Sequence, residues 1–172
     1  MTQIVLLTIL SICLSNQTSS QDTTPSVTVT RVSDRITVDG YLDEPMWSQA
    51  PKIGELVQRQ PDTGQAPTEQ TEVTLLYDDN NLYVGITAFD SESNKVIGTV
   101  MERHGSLRSD DSIEIILDTF RTQQNAFYFA TNPAGVFVDG LAYDNQELNT
   151  DWNAIWEVRT KHTESGWVAE FA

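Results

Sequence analysis

The feature that most constrains this chain is a two-residue alternation of apolar and polar side chains, which recurs in short runs from Val27 onward. In the run DSIEIILD, Ile113, Ile115 and Leu117 fall on one face of an extended chain, whereas Glu114 falls on the other. Consecutive side chains of a strand point to opposite faces, and β-branched and aromatic residues favour strands. The alternation therefore predicts an all-β fold in which each sheet buries one face.

Turn-forming residues separate these runs. DDNN at 78–81 and NPAG at 132–135 each lie between two strand-like segments, and Pro133 and Gly135 suit the dihedral angles of a tight turn. Short strands at regular spacing with turns between them are typical of a sandwich. We predict an antiparallel, jelly-roll-like β-sandwich.

The stretch ITVDGYLDEPMW combines three carboxylates with two aromatic rings. Such a combination occurs in sugar clefts, calcium loops and glycosidase acid pairs, but also in turns and core anchors. Asp39 precedes a glycine in a turn pair, and Asp43 or Glu44 can begin a short helix near residues 44–50. We interpret the stretch as structural, with Trp47 packed into the sandwich.

The length and charge of the chain limit its partners. A chain of 172 residues fits one domain. Its formal net charge of −15 repels nucleic-acid phosphates and anionic membranes, so we expect no nucleic-acid partner. Surplus carboxylates attract cations, calcium among them.

The N-terminal residues are typical of a secretory signal peptide. The apolar run Ile4–Leu14 is too short to span a bilayer, and small polar residues follow it. We predict a signal peptide at 1–20, a linker at 21–26 and one domain at 27–172, secreted to the periplasm or outer membrane of a bacterium. A lipoprotein centred on Cys13 is less favoured, because a bulky isoleucine precedes that cysteine.

No catalytic constellation emerges from the sequence. Glu114 and Asp118 share a strand face but lie roughly 13 Å apart at about 3.3 Å per residue, beyond the carboxyl separation of either glycosidase mechanism. His104 and His162 lie near no nucleophile motif and lack zinc-ligand spacing. We therefore predict no catalytic site in this chain.

Acidic pairs at strand ends suggest calcium. Calcium takes six to eight oxygen ligands, which sandwich loops can supply without a linear motif. The alternative is that these aspartates only start turns. The candidate metal ligands are Asp78, Asp79, Asp110 and Asp111.

Four tryptophans offer a possible sugar platform. Three of them fit a buried position, whereas Trp152 precedes a strand in NTDWNAIW and can be exposed. An exposed flat ring with polar neighbours suits a pyranose.

Three motifs in order, ITVDGYLDEPMWSQAPKI, TEVTLLYDDNNLYVGITAFD and SDDSIEIILDT, resemble the family 9 carbohydrate-binding module. The resemblance covers nearly all of residues 34–172. It implies a β-sandwich, often calcium-bearing, that binds sugars in secreted xylanases and related proteins.

Site residues carry over position by position. The resemblance implies that Glu114 hydrogen-bonds sugar hydroxyls. Family members have a tryptophan just before this strand, at a position that falls near Arg108, where this chain has no tryptophan. An arginine on the next strand of family members corresponds to Tyr128 in this chain. With Trp152, these residues form the predicted carbohydrate-binding set. The second family tryptophan corresponds to a position beyond Ala172.

The segment DWNAIWEV…GWVAEFA resembles a subgroup that follows the signal peptide of long bacterial outer-membrane-associated proteins. We expect a monomeric, non-catalytic accessory module that continues into further domains and contacts a poly- or oligosaccharide. Alternatives are a docking domain without sugar binding, or the targeting arm of a glycoside hydrolase. We expect this chain to be a fragment of a longer protein. If it lacks the last strands of its sandwich, it would expose an unpaired strand edge and aggregate.

Overall fold

The computed structural model describes residues 26–143 and 147–172, so the predicted signal peptide and most of the linker lie outside the described residues. Short β-strands dominate, as predicted. The strands are β1 Thr30–Arg31, β2 Lys52–Ile53, β3 Thr71–Tyr77, β4 Leu82–Phe89, β5 Ile113–Leu117, β6 Asn125–Thr131, β7 Val138–Tyr143, β8 Glu147–Asn149, β9 Val158–Thr163 and β10 Gly166–Phe171. The helix α1 spans Pro45–Gln49, within the predicted 44–50. Nowhere in 26–143 or 147–172 is a helix long and apolar enough to cross a membrane.

The strands form two sheets. The six-stranded sheet has the order β1-β3-β4-β10-β9, with β2 also pairing with β3, and the four-stranded sheet has the order β5-β6-β7-β8. All pairings are antiparallel except that of β1 with β3. The prediction of an all-β sandwich is confirmed.

The core lies where the alternating apolar faces of the two sheets meet. Ile113 and Ile115 of β5 pack against a buried cluster that includes Ile86 of β4, Trp167 and Phe171 of β10. The polar residues between them face outward, as period-two alternation requires.

A second apolar cluster on the outer face of the six-stranded sheet holds the ITVDGYLDEPMW stretch. Trp47 is 3% exposed and packs with Ile36, Leu76 and Tyr83. Glu44 is the N-cap residue of α1, but its carboxylate accepts hydrogen bonds from the Trp47 indole and a neighbouring backbone N–H instead of capping the helix. The interpretation of this stretch as a core anchor is confirmed.

Glu170 of β10 fastens the same stretch to the sheet. Its carboxylate is fully buried and accepts hydrogen bonds from the backbone N–H groups of Asp39, at 2.9 Å, and Gly40, at 3.0 Å. Gly40 has φ of +90° and approaches the backbone of Thr160, so it occupies a position that favours glycine. The turn predicted at Asp39-Gly40 thus joins two segments 130 residues apart.

An ion pair between a half-exposed arginine and a buried aspartate ties two irregular segments to the four-stranded sheet. The carboxylate of Asp139 on β7 is fully buried and contacts Arg103, at 2.7 Å, and the backbone N–H of Ala154, at 2.6 Å. Burying one charge without its partner is costly, so Arg103 and Asp139 depend on each other.

Candidate functional site

The outer face of the four-stranded sheet carries an open cavity of about 440 Å³, here called the trough. Register places Ile116 of β5 opposite Tyr128 of β6, and places Ala142 of β7 opposite Leu148 of β8. These side chains share one face because the strands alternate in phase. The cavity is lined by Arg59, Ile116, Asp118, Gln123, Gln124, Asn125, Ala126, Tyr128, Ala142 and Leu148.

Small residues on the two central strands keep the trough open. Ala126 and Ala142 line it, and a Cβ added to Gly140 would come within 2.9 Å of Leu148. The edge strands supply taller aliphatic side chains, Ile116 at 62% exposure and Leu148 at 41%. Three strand spacings of about 4.8 Å separate the edge strands β5 and β8, a width that suits a sugar ring or short chain.

Tyr128 and Glu114 form a polar pair on this face. They are diagonal neighbours, because Glu114 pairs in register with Ala130, two residues from Tyr128. Burial, followed by the charge of Glu114 and its hydrogen bond, raises the pKa of Tyr128 above its ordinary 10.0. The Tyr128 hydroxyl therefore stays protonated beside the Glu114 carboxylate, which is itself exposed to solvent.

One end of the trough is formed by the loop between β5 and β6. The Asp118 carboxylate accepts hydrogen bonds from the backbone N–H groups of Gln123, at 2.7 Å, and Thr122, at 3.2 Å. These bonds, that of Gln123 first, lower the pKa of Asp118, so its carboxylate stays ionised where it lines the trough. Gln124 and Asn125 add amide groups, which can both donate to and accept from hydroxyl groups.

Arg59 reaches the trough from the polar segment between β2 and β3. Its side chain is exposed and lines the cavity. Within the described part of the chain it makes no ion pair.

The structure brings together two of the four predicted carbohydrate-binding residues. Glu114 and Tyr128 share the outer face, and Arg108 lies exposed in the segment before β5. Trp152 lies on the opposite face, with its ring centroid 5.2 Å from that of Phe127. Because Phe127 alternates with Tyr128 on β6, Trp152 cannot join Glu114 in one cleft without rearrangement.

The first predicted metal pair serves the β3–β4 turn. Asp78 accepts hydrogen bonds from the Tyr83 hydroxyl and from the backbone N–H groups of Asn80 and Asn81, each at 2.7 Å. These donors, Tyr83 first, lower the pKa of Asp78. Asp79 forms an exposed ion pair with Arg31.

The second predicted metal pair orders the segment before β5. Asp110 accepts from the backbone N–H and hydroxyl of Thr99, the backbone N–H of Val100 and the Asn132 amide, which together lower its pKa to about 2. Asp111 accepts from the backbone N–H of Ile97. Across 26–143 and 147–172, no three acidic, histidine or cysteine side chains are grouped as a metal site requires. Each of these four aspartates thus interacts with a donor of the protein itself.

Sequence reasoning missed the aliphatic and small residues of the trough. Ile116 breaks the alternation by placing an apolar side chain on the outer face of β5, and that break was a usable signal. No comparable signal marks Arg59, because its segment has no periodicity that would place it against the sheet.

A β-sandwich with an open polar and aliphatic trough on one sheet is the architecture of a ligand-binding module. A family model described as "Carbohydrate family 9 binding domain-like" matches residues 38–172, and the chain belongs to that family.

Solved structures share the fold. A family 9 carbohydrate-binding module from Caldicellulosiruptor kristjanssonii in complex with cellotriose matches with TM-score 0.55 and 18% identity, over 85% of this chain and 66% of that one. The same kind of module from that organism in complex with glucose matches with TM-score 0.54 and 19% identity, over 83% and 65%. The chain thus spans slightly less than two thirds of these structures. No curated protein matches it.

Proposed function

We propose that this protein is a carbohydrate-binding module that holds a sugar in the trough, without catalysing a reaction itself. The observation that carries the proposal is the Tyr128–Glu114 pair beside a floor of small residues, on the fold of a family whose solved members are in complex with glucose and cellotriose. The Glu114 carboxylate can accept hydrogen bonds from sugar hydroxyls.

The chemistry of the trough supports a sugar ligand. Ile116 and Leu148 offer aliphatic surface for the C–H faces of a pyranose, while the Gln124 and Asn125 amides match its hydroxyl groups. Affinity for a single small sugar is expected to be modest, because the lining contributed by the described residues includes no tryptophan.

Isothermal titration with glucose and cellotriose tests the proposal. We expect saturable binding that Glu114→Gln weakens about tenfold, since a hydrogen bond to a charged group contributes about 1.5–3 kcal/mol. Glu164→Gln, at an exposed carboxylate in the β9–β10 turn, is the matched control and should leave binding unchanged. Absence of binding, or equal loss in both variants, would contradict the proposal.

The second candidate is a docking domain without sugar binding. The position of Trp152 on the inner face favours it, because its ring then lies away from Glu114. Co-purification of the longer protein with a protein partner, without any glycan response in the titration, would support this candidate.

Secretion and an accessory role within a larger carbohydrate-active or outer-membrane protein complete the proposal. The N-terminal apolar segment supports export. N-terminal sequencing of the exported protein should begin near Gln21, and an N-terminus at Met1 would contradict export by this signal.

Calcium remains a proposal with its own test. If calcium binds, adding it after chelation should raise the melting temperature, because a ligand of the native state stabilises that state. Asp110→Asn would abolish that rise if Asp110 is a ligand, while an unchanged melting temperature in the unmodified protein would contradict calcium binding.

A further inference from the structure

The arginines without an ion-pair partner are unevenly distributed. In 26–143 and 147–172 four arginines form no ion pair: Arg35, Arg59, Arg108 and Arg121. Arg59 lines the trough, and Arg121 belongs to the loop that forms its polar end. Arg108 follows Leu107, which packs against Ala130 and Val138 on the outer face of the same sheet. Arg59 thus lines this face of a strongly acidic protein, and Arg121 and Arg108 belong to segments that adjoin it.

The carboxylates of this face already have protein donors. Asp118 accepts backbone N–H groups of its own loop, and Glu114 lies beside the Tyr128 hydroxyl. Neither is ion-paired with Arg59, whose guanidinium therefore keeps its donors for a ligand. A guanidinium presents parallel N–H donors that match a carboxylate in a two-point contact.

The negative net charge of the protein does not by itself prevent an anionic ligand from binding next to Arg59. At physiological ionic strength charges further than about 8 Å apart are largely screened. A ligand in the trough therefore responds mainly to the charged side chains that line it, Arg59 and Asp118, and much less to the surplus carboxylates on the remainder of the surface.

From these observations we propose that the trough selects acidic oligosaccharides, in which a uronic acid carboxylate pairs with Arg59 while a neighbouring sugar contacts the Tyr128–Glu114 pair. This inference rests on the proposed sugar binding and adds the chemical class of the sugar.

Two matched ligands test it: cellotriose, and the same trisaccharide with its terminal C6 hydroxymethyl oxidised to a carboxylate. In titrations at physiological ionic strength we expect the acidic ligand to bind about tenfold more tightly than the neutral one. Raising the salt concentration should reduce that preference, because the pair is exposed.

Arg59→Gln assigns the preference to one residue. In this variant the acidic and the neutral ligand should bind with equal affinity, because the charge that distinguishes them has been removed. Arg35→Gln is the matched control, since Arg35 is exposed, unpaired and lines a different cavity, and it should change neither ligand. Circular dichroism melts verify that both variants fold.

The outcomes separate the two proposals. Equal affinity for both ligands overturns the acidic preference and leaves carbohydrate binding intact. A preference that survives Arg59→Gln overturns the role of Arg59. No binding of either ligand overturns the proposed function itself.

Discussion

Glu170 is a carboxylate held where carboxylates are rarely found, fully buried against the Asp39-Gly40 turn. Burial raises its pKa to about 7, although the two backbone N–H groups that it accepts act in the opposite direction. One of its oxygens, Oε1, has no hydrogen-bond partner among the described residues. The nearby carboxylates of Glu44 and Asp39 add to the rise.

This residue should make stability depend on pH. Between pH 4.5, its ordinary pKa, and about 7, the folded state binds more protons than the unfolded state. Its contribution is therefore complete below pH 4.5 and is lost as the pH rises through 7, by on the order of 3 kcal/mol. Urea unfolding at pH 5, 6, 7 and 8 should show a steeper decline for the unmodified protein than for Glu170→Gln.

Every other titrating group contributes equally to the pH dependence of the unmodified protein and of Glu170→Gln, so the difference between their profiles reports Glu170 alone. Parallel pH profiles for the unmodified protein and Glu170→Gln would contradict the assignment. A lower absolute stability of the variant would not, because its amide must find a new partner.

At the scale of elements, the ITVDGYLDEPMW stretch and β4 are fitted to each other. A Cβ on Gly85 would lie 2.7 Å from the Trp47 ring and 2.9 Å from Leu42. The indole thus rests directly on bare backbone of a central strand. Glycine serves here through its lack of a side chain, since close approach is what the position requires.

Gly85→Ala should therefore destabilise the fold by about 1–3 kcal/mol, the usual cost of overpacking a well-packed site. Denaturant unfolding measures this loss. Gly54→Ala is the control, because its new methyl group would lie no closer than 3.8 Å to any neighbour, and its effect should stay within about 0.5 kcal/mol. Similar stability of the two variants would contradict the prediction, because it would show that the Trp47 ring moves to accept the added methyl group at little cost.

The sequence predicted elements better than it predicted the site, for a physical reason. Alternation assigns each side chain to a face, so Ile113 and Ile115 were placed correctly and Glu114 was placed opposite them. The trough depends on which residues stand side by side, and alternation does not determine the register of β6, β7 and β8. Trp152 lies in an irregular segment where no period applies. The aspartates were ambiguous because turns and calcium sites use the same side chains.

For the whole molecule, charge and edge geometry act against each other. In the described sheets β5 is an edge strand, and it carries Ile116 at 62% exposure. An exposed apolar edge invites pairing with another copy, whereas a net charge of −15 repels it. Association should therefore depend on how far that charge is screened or neutralised.

We expect sedimentation velocity to show a monomer at neutral pH and low salt, and increasing association as the pH falls toward the pI of about 4.2. Ile116→Lys should suppress the association, since lysine on an edge strand blocks pairing. Ile155→Lys changes an equally apolar, fully exposed residue outside the strands and should have little effect. Equal association of both variants would place the contact elsewhere.

The position of β10 has a consequence for the order of events during synthesis. It lies between β4 and β9, yet it is the last described strand to leave the ribosome. Until residues 166–171 emerge, β4 lacks its β10 neighbour, and the backbone N–H groups of Asp39 and Gly40 lack the Glu170 acceptor. Such distant pairings make folding slow. The contact between the Asp39-Gly40 turn and Glu170 therefore forms late. The nascent chain cannot complete the six-stranded sheet until nearly all of the described strands have been synthesised.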